Sequence, residues 1–261
     1  MIVCAGVAGL SLLIGALRFR EQDLQPQGTS AFLAVLMALS VLTLILPNFT
    51  VTTLGPTFSP AQLAFVGVVS ILLYSVFLFI ETVRHRADFL EAEPRRGGQK
   101  IRPAPSNRRI LTSCFWLLAS LAGVVLLAKR VGSGVEEALA LAGLEEAQRV
   151  GVEGALIAFL VLLPEAIHAV HAATRNEIQS SLNTALGAAL AAIGLIIPAV
   201  AAVSLTTGHE LILGLDMRDS VLLLLTLGLS VVSFGTGRTN MLNGLVLLVV
   251  FATYVFLLFV P

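Results

Sequence analysis

The chain is predicted to be an all-α integral membrane protein with about eight transmembrane helices. Of its 261 residues, 57% are hydrophobic and only 12% charged, whereas an ordinary soluble domain is about one quarter charged. Apolar runs recur along the whole chain, with a mean hydropathy of +0.94, and many reach the length of about 20 helical residues that crosses a hydrocarbon core of roughly 30 Å. The breaks between them are short and rich in Arg, Gly, Pro, Asn and Thr, too small for a second soluble domain. One polytopic membrane domain follows.

Taken in order, apolar length and the breakers at its ends place helices near residues 1–17, 29–46, 61–83 and 109–128, then near 151–173, 178–205, 219–235 and 239–260. The first run carries no basic residue before it and is rich in glycine, so it reads as a membrane helix rather than a signal peptide. Pro47, Asn48, Pro56 and Pro60 mark a loop between the second and third helices. The segment Val135–Arg149, with Glu136, Glu137, Glu145 and Glu146, reads as an amphipathic helix lying on the membrane surface.

Lys and Arg accumulate in loops on the cytoplasmic side. The segment from Arg84 to Arg109 holds eight basic residues, and Arg18, Arg20, Arg175 and Arg238 fall on the same side, so the sixteen basic residues divide twelve to four. Only Lys129, Arg130, Arg149 and Arg218 lie opposite. The loop 84–109 is therefore expected to be cytoplasmic and both ends of this chain external. Its Pro94, Gly97, Gly98, Pro103 and Pro105 favour a flexible connector, which divides the chain into 1–83, with three helices, and 110–261, with five. Residues Gly6–Leu17 also align without gaps to Ala189–Val200, small and aliphatic residues matching throughout. If this is a repeat, the first helix corresponds to the sixth and the third to the eighth.

Several function classes are excluded by composition. The formal net charge is zero, so no basic surface invites nucleic acid. Cys4 and Cys114 both sit in apolar runs and read as small hydrophobes, not as a disulfide or metal pair. There is no phosphate loop, HExxH or paired CxxC, and no soluble lobe to hold a nucleotide. The chain is thus not expected to be an enzyme or to carry a cofactor. An intramembrane hydrolase built on Glu165 and His168 would lack a nucleophile or third metal ligand.

The chemistry concentrates in residues 151–200, GVEGALIAFLVLLPEAIHAVHAATRNEIQSSLNTALGAALAAIGLIIPAV. Glu165 falls deep in an apolar helix, where a charged side chain costs about 2.5 to 3.5 kcal/mol on insertion scales. It needs a proton, a cation or a hydrogen-bonded packing role between helices. Pro164, directly before it, has no N–H to donate, which frees the carbonyl near Leu160. Such a hard oxygen beside a carboxylate suits an alkali or alkaline-earth cation. His168 lies about 60° from Glu165 around the helix, close enough to share a face and exchange a proton, or to act as an interhelical hydrogen-bond donor. In the next helix Ser180 and Asn183 share a stripe with Gly187 and Ala191, which either packs helices closely or brings oxygens to the same site. Glu153, three turns above Glu165, could guide cations inward or simply snorkel; Glu81 is expected to be solvated and His171 to face elsewhere.

The stretch PEAIHAVHAATRNEIQSSLNTALGAALAAIGLIIP resembles the second signature repeat of the calcium/cation antiporter superfamily, and is most similar to its ChaA-type bacterial branch. MIVCAGVAGL, LPNFTVTT and VFLFIETVRHR look like the same branch, so the likeness covers the chain. The resemblance implies a ten-helix fold of two inverted five-helix halves, with an acid from each half meeting at mid-membrane, in a bacterial inner membrane. It implies exchange of Ca2+, Na+ or K+ for protons, and it places the second-half acid on Glu165. The family histidine is displaced here to His168, and where relatives carry a Gly-Ser pair this chain has Gly187 and Ala188. The first-half acid helix and the helix before it would precede Met1, which suggests a fragment, a late start, or assembly with another copy.

The expectation is a proton-coupled antiporter exporting Ca2+ or Na+, with K+ a further candidate, in exchange for H+. Glu165 takes cation and proton in turn, and no bound group is called for beyond the transported Ca2+ or Na+. Its partners are those ions and membrane lipid, with a homo-oligomer open. The rival reading is a truncated, non-transporting membrane remnant or scaffold.

Overall fold

The computed structural model describes residues 1–53, 55–84, 107–141, 146–208 and 211–260. Eight helices appear among them: α1 (Ile2–Phe19), α2 (Pro26–Phe49), α3 (Pro60–Arg84), α4 (Asn107–Leu141), α5 (Glu146–Thr174), α6 (Ile178–Thr207), α7 (Met217–Gly235) and α8 (Met241–Phe259). All eight expected helices are present. Seven of them, all but α4, are long and apolar enough to cross a membrane.

The ends follow the local chemistry. Pro26 and Pro60 stand in the first turns of α2 and α3, where their missing N–H is not needed. Ser59 and Gln62 close a reciprocal capping box at the start of α3. Gly208 ends α6 in the left-handed conformation. Within the long spans the backbone widens into π-helical turns at Ile2–Val7, Val41–Ile45, Ile80–Arg84 and Ala192–Ile196.

One expectation needs correction. Val135–Arg149 is not a separate surface helix: Val135–Leu141 continue α4 without a break, and Glu146–Arg149 begin α5. Gly132 and Gly134 weaken a helix without ending it, and the strong helix formers of EEALAL carry it onward. The basic segment 84–109 lies largely outside the described residues. Arg84 ends α3, and Asn107, Arg108 and Arg109 open α4.

The chain forms two compact units: residues Met1–Ala92 with Leu162–Phe256, and residues Glu93–Val161 with Leu257–Pro261. In the first unit α2 packs on α3, α6 and α7, and α1 packs on α6. The core holds fully buried Leu12, Phe32, Leu36, Leu182, Leu186 and Phe234, and the Phe32 and Phe77 rings tilt together with centroids 4.7 Å apart. Lipid is as apolar as these side chains, so close packing and not water exclusion holds such helices together. Accordingly α1 and α8 approach at glycines: a Cβ on Gly244 would lie 2.7 Å from the Leu13 amide nitrogen and 2.9 Å from the Gly9 carbonyl.

Two backbone seams close the ends of this unit. At one end β1 (Gln22–Asp23), after α1, pairs antiparallel with β2 (Arg238–Thr239), between α7 and α8. The Leu24 amide there donates to the Gly237 carbonyl at 2.8 Å. At the other end the α2–α3 loop meets the α6–α7 loop: Thr57 bridges Ile212, and the Leu213 and Gly214 amides donate to the Pro56 carbonyl at 3.2 and 3.1 Å. The Asn48 side-chain Nδ2 also donates to the Leu215 carbonyl. Each seam thus gathers turns of one crossing parity.

Candidate functional site

Helix α5 runs through Pro164 and carries Glu165 at the edge of a packed stripe. Leu162, Ala166 and Ala169 of that stripe meet Val3 and Val7 of α1 and Ala185 and Ala189 of α6. The side chains of that stripe are valine, leucine and alanine. Glu165 Oε2 is buried and has no hydrogen-bond partner among the described residues. That oxygen has neither the hydration nor the hydrogen bond that a carboxyl oxygen finds in water.

The other expected residues differ in exposure and in their local partners. His168 is exposed, because Ala169 and not His168 continues the buried stripe below Glu165. Asn183 is half-buried and its Oδ1 accepts from Gln179 Nε2 at 3.0 Å. Ser180 is half-buried too, its carbonyl accepting the Thr184 hydroxyl at 2.9 Å. Leu160, 47% exposed, stands one turn before Pro164, where its carbonyl meets no N–H. Glu153 is half-buried and faces α4: a Cβ on Gly132 would lie 3.6 Å from Glu153 Oε1. His171 is exposed and Cys4 is a buried free thiol.

Among the described residues no group of three or more His, Cys, Asp or Glu gathers. An amide cluster that the sequence did not single out lies at the turn below. Gln22 Nε2 donates to Asn176 Oδ1 at 2.9 Å, the Gln25 backbone N–H donates to Gln179 Oε1 at 3.0 Å, and Gln179 Nε2 reaches Thr29 Oγ1 at 3.5 Å. Gln22 and Gln179 are only 3% and 2% exposed. Gln179 alone gave a signal, an amide at the start of an apolar helix.

The sequence profile of the sodium/calcium exchanger protein family matches residues 1–83 and 112–260. The chain belongs to the sodium/calcium exchanger family. It is 42% identical over 261 residues to the putative ionic transporter y4hA of Sinorhizobium fredii, covering 100% of this chain and 70% of that protein. Identity to the sodium-potassium/proton antiporter ChaA of Escherichia coli is 32% over 267 residues, 99% of this chain and 69% of that one. Among solved structures, native YfkE superposes with a TM-score of 0.66 at 15% identity, over 100% of this chain and 72% of its own. The calcium/cation antiporter membership implied by the resemblance is thereby shown, as is the all-α exchanger fold. This exchanger-family chain is a multi-pass membrane protein, and it spans about 70% of the relative y4hA.

Proposed function

We propose that the chain is the transporting part of a proton-coupled cation antiporter in a bacterial inner membrane, exporting Ca2+ or Na+, with K+ a further candidate, in exchange for H+. The observation that carries this reading is Glu165 Oε2, buried in a membrane span without a partner. Such an oxygen is tolerable only while a proton or a cation sits on it, and because both need the same lone pairs, binding one releases the other. Competition at a single carboxylate enforces exchange.

In this mechanism Asn183 and Ser180 supply amide and hydroxyl oxygens, and the carbonyl of Leu160 freed by Pro164 supplies another. His168, on the exposed side of the same helix, hands protons to Glu165, and Glu153 draws cations toward it. No chemical bond other than to hydrogen is made or broken, so the protein is a transporter and not an enzyme. With the basic loop cytoplasmic, both ends of this chain lie outside.

The test is replacement of Glu165 by Gln in the full-length protein, with proton movement followed in everted vesicles on addition of Ca2+, Na+ or K+. Loss of cation-dependent proton movement is expected. Retained exchange would remove the central residue and with it the mechanism.

A further inference from the structure

The ungapped alignment of Gly6–Leu17 in α1 with Ala189–Val200 in α6, taken as a repeat, would exchange the two backbone seams. Under that relation the α1–α2 turn corresponds to the α6–α7 turn, and the α2–α3 turn to the α7–α8 turn. The first seam, joining α1–α2 to α7–α8, maps onto the second, joining α6–α7 to α2–α3. Both consist of backbone N–H and C=O groups paired with each other, which form the fixed frame of the unit.

The turn of the acid-bearing helix is attached differently. Arg175, Asn176 and Glu177, between α5 and α6, contribute no strand to the seam. This turn and the start of α6 are tied to it through side chains: Gln22 Nε2 donates to Asn176 Oδ1 at 2.9 Å, and the Gln25 backbone N–H donates to Gln179 Oε1 at 3.0 Å. Asn176 adopts φ +65, a left-handed conformation that Asn tolerates better than most residues and that reverses the chain directly below α5. Gln22 is buried yet incompletely satisfied: its Oε1 has no partner and presses on Gly15, where no Cβ could fit. A closed contact that leaves a buried acceptor unpaired is held weakly, since opening would give that oxygen water.

We propose that Gln22 and Asn176 form a releasable latch, which holds the foot of the acid-bearing helix against the fixed seam and whose release opens Glu165 to that side of the membrane. This rests on the exchange reading above for its purpose, but its geometry can be tested without ion movement. The reporter is Ala166→Cys, beside Glu165, in the full-length protein with Cys4→Ala and Cys114→Ser. A membrane-impermeant thiol reagent is applied from either face of right-side-out and everted vesicles.

Asn176→Gly keeps the left-handed backbone and removes the acceptor; Gln22→Met keeps the volume and removes the donor. Each is expected to speed labelling from the Arg18 end by on the order of fivefold, the population shift from loss of one hydrogen bond. Asn176→Asp, which retains an acceptor, should stay near the parent. Unchanged labelling in both folded variants would overturn the latch, as would equal acceleration from both faces. Failure of both variants to fold would assign the pair a purely structural role and equally overturn it. Exchange by Glu165→Gln, measured separately, keeps failure of the transport reading distinct.

Discussion

Glu165 differs from the other described acids in owning a side-chain oxygen that neither solvent nor a neighbour reaches. If that oxygen takes proton and cation in turn, protons should act as competitive inhibitors. Acidifying the loading side is expected to raise the apparent KM for the cation, by up to about tenfold per pH unit where the two compete, with the maximum rate unchanged. Initial rates across a cation series at two pH values read this directly. A falling maximum at constant KM would put the proton at another group. His168 sits on the exposed side of α5, so a proton hand-off there can be bypassed by water. His168→Gln should therefore slow exchange by less than about tenfold, against complete loss in Glu165→Gln. Slowing as severe as that of Glu165→Gln would place the imidazole among the ligands themselves.

Between elements, close approach of α1 and α8 is the contact most sensitive to size. A methyl on Gly244 would sit 2.7 Å from a Leu13 backbone atom, which cannot rotate away. Gly244→Ala is expected to destabilise the protein by about 1–3 kcal/mol, the usual cost of overpacking. Gly228, inside α7 with nothing within 4 Å, should gain up to about 1 kcal/mol as Ala. Thermal unfolding in detergent measures both, and equal effects would mean the α1–α8 contact is not tight. The helices themselves were legible because a membrane span announces itself by apolar length alone. The extension of α4 was not: Val135–Arg149, with the acidic pair Glu136 and Glu137, read as a separate surface helix, although neither charge nor the preceding Gly132 and Gly134 interrupts backbone hydrogen bonding. Glu165 was legible for the same reason as the spans, as an acid in an apolar run. Gln22 was not, because it lies in the polar stretch EQDLQ and its side-chain partner is 154 residues away.

On the scale of the whole chain, the two seams fix which turns share an end, while the basic residues say which end faces inward. Arg18, Arg20, Arg175 and Arg238 flank the β1–β2 seam, whereas the loop around Val51 at the opposite seam holds no basic residue between Pro47 and Pro60. Charge bias of this kind orients membrane proteins with the basic turns in the cytoplasm. Val51 is 97% exposed and the Arg238 side chain 73% exposed, so each accepts a reporter without disturbing packing. In the background lacking Cys4 and Cys114, Val51→Cys is expected to react with an impermeant maleimide on intact cells. Arg238→Cys should react only after the membrane is everted. The reverse pattern would turn the protein over, and reaction of both from one face would break the alternation of crossings itself. With the expected pattern, the Gln22–Asn176 contact lies on the cytoplasmic side. Its release then admits a cytoplasmic cation to Glu165, which is the direction an exporter driven by inward proton flow requires.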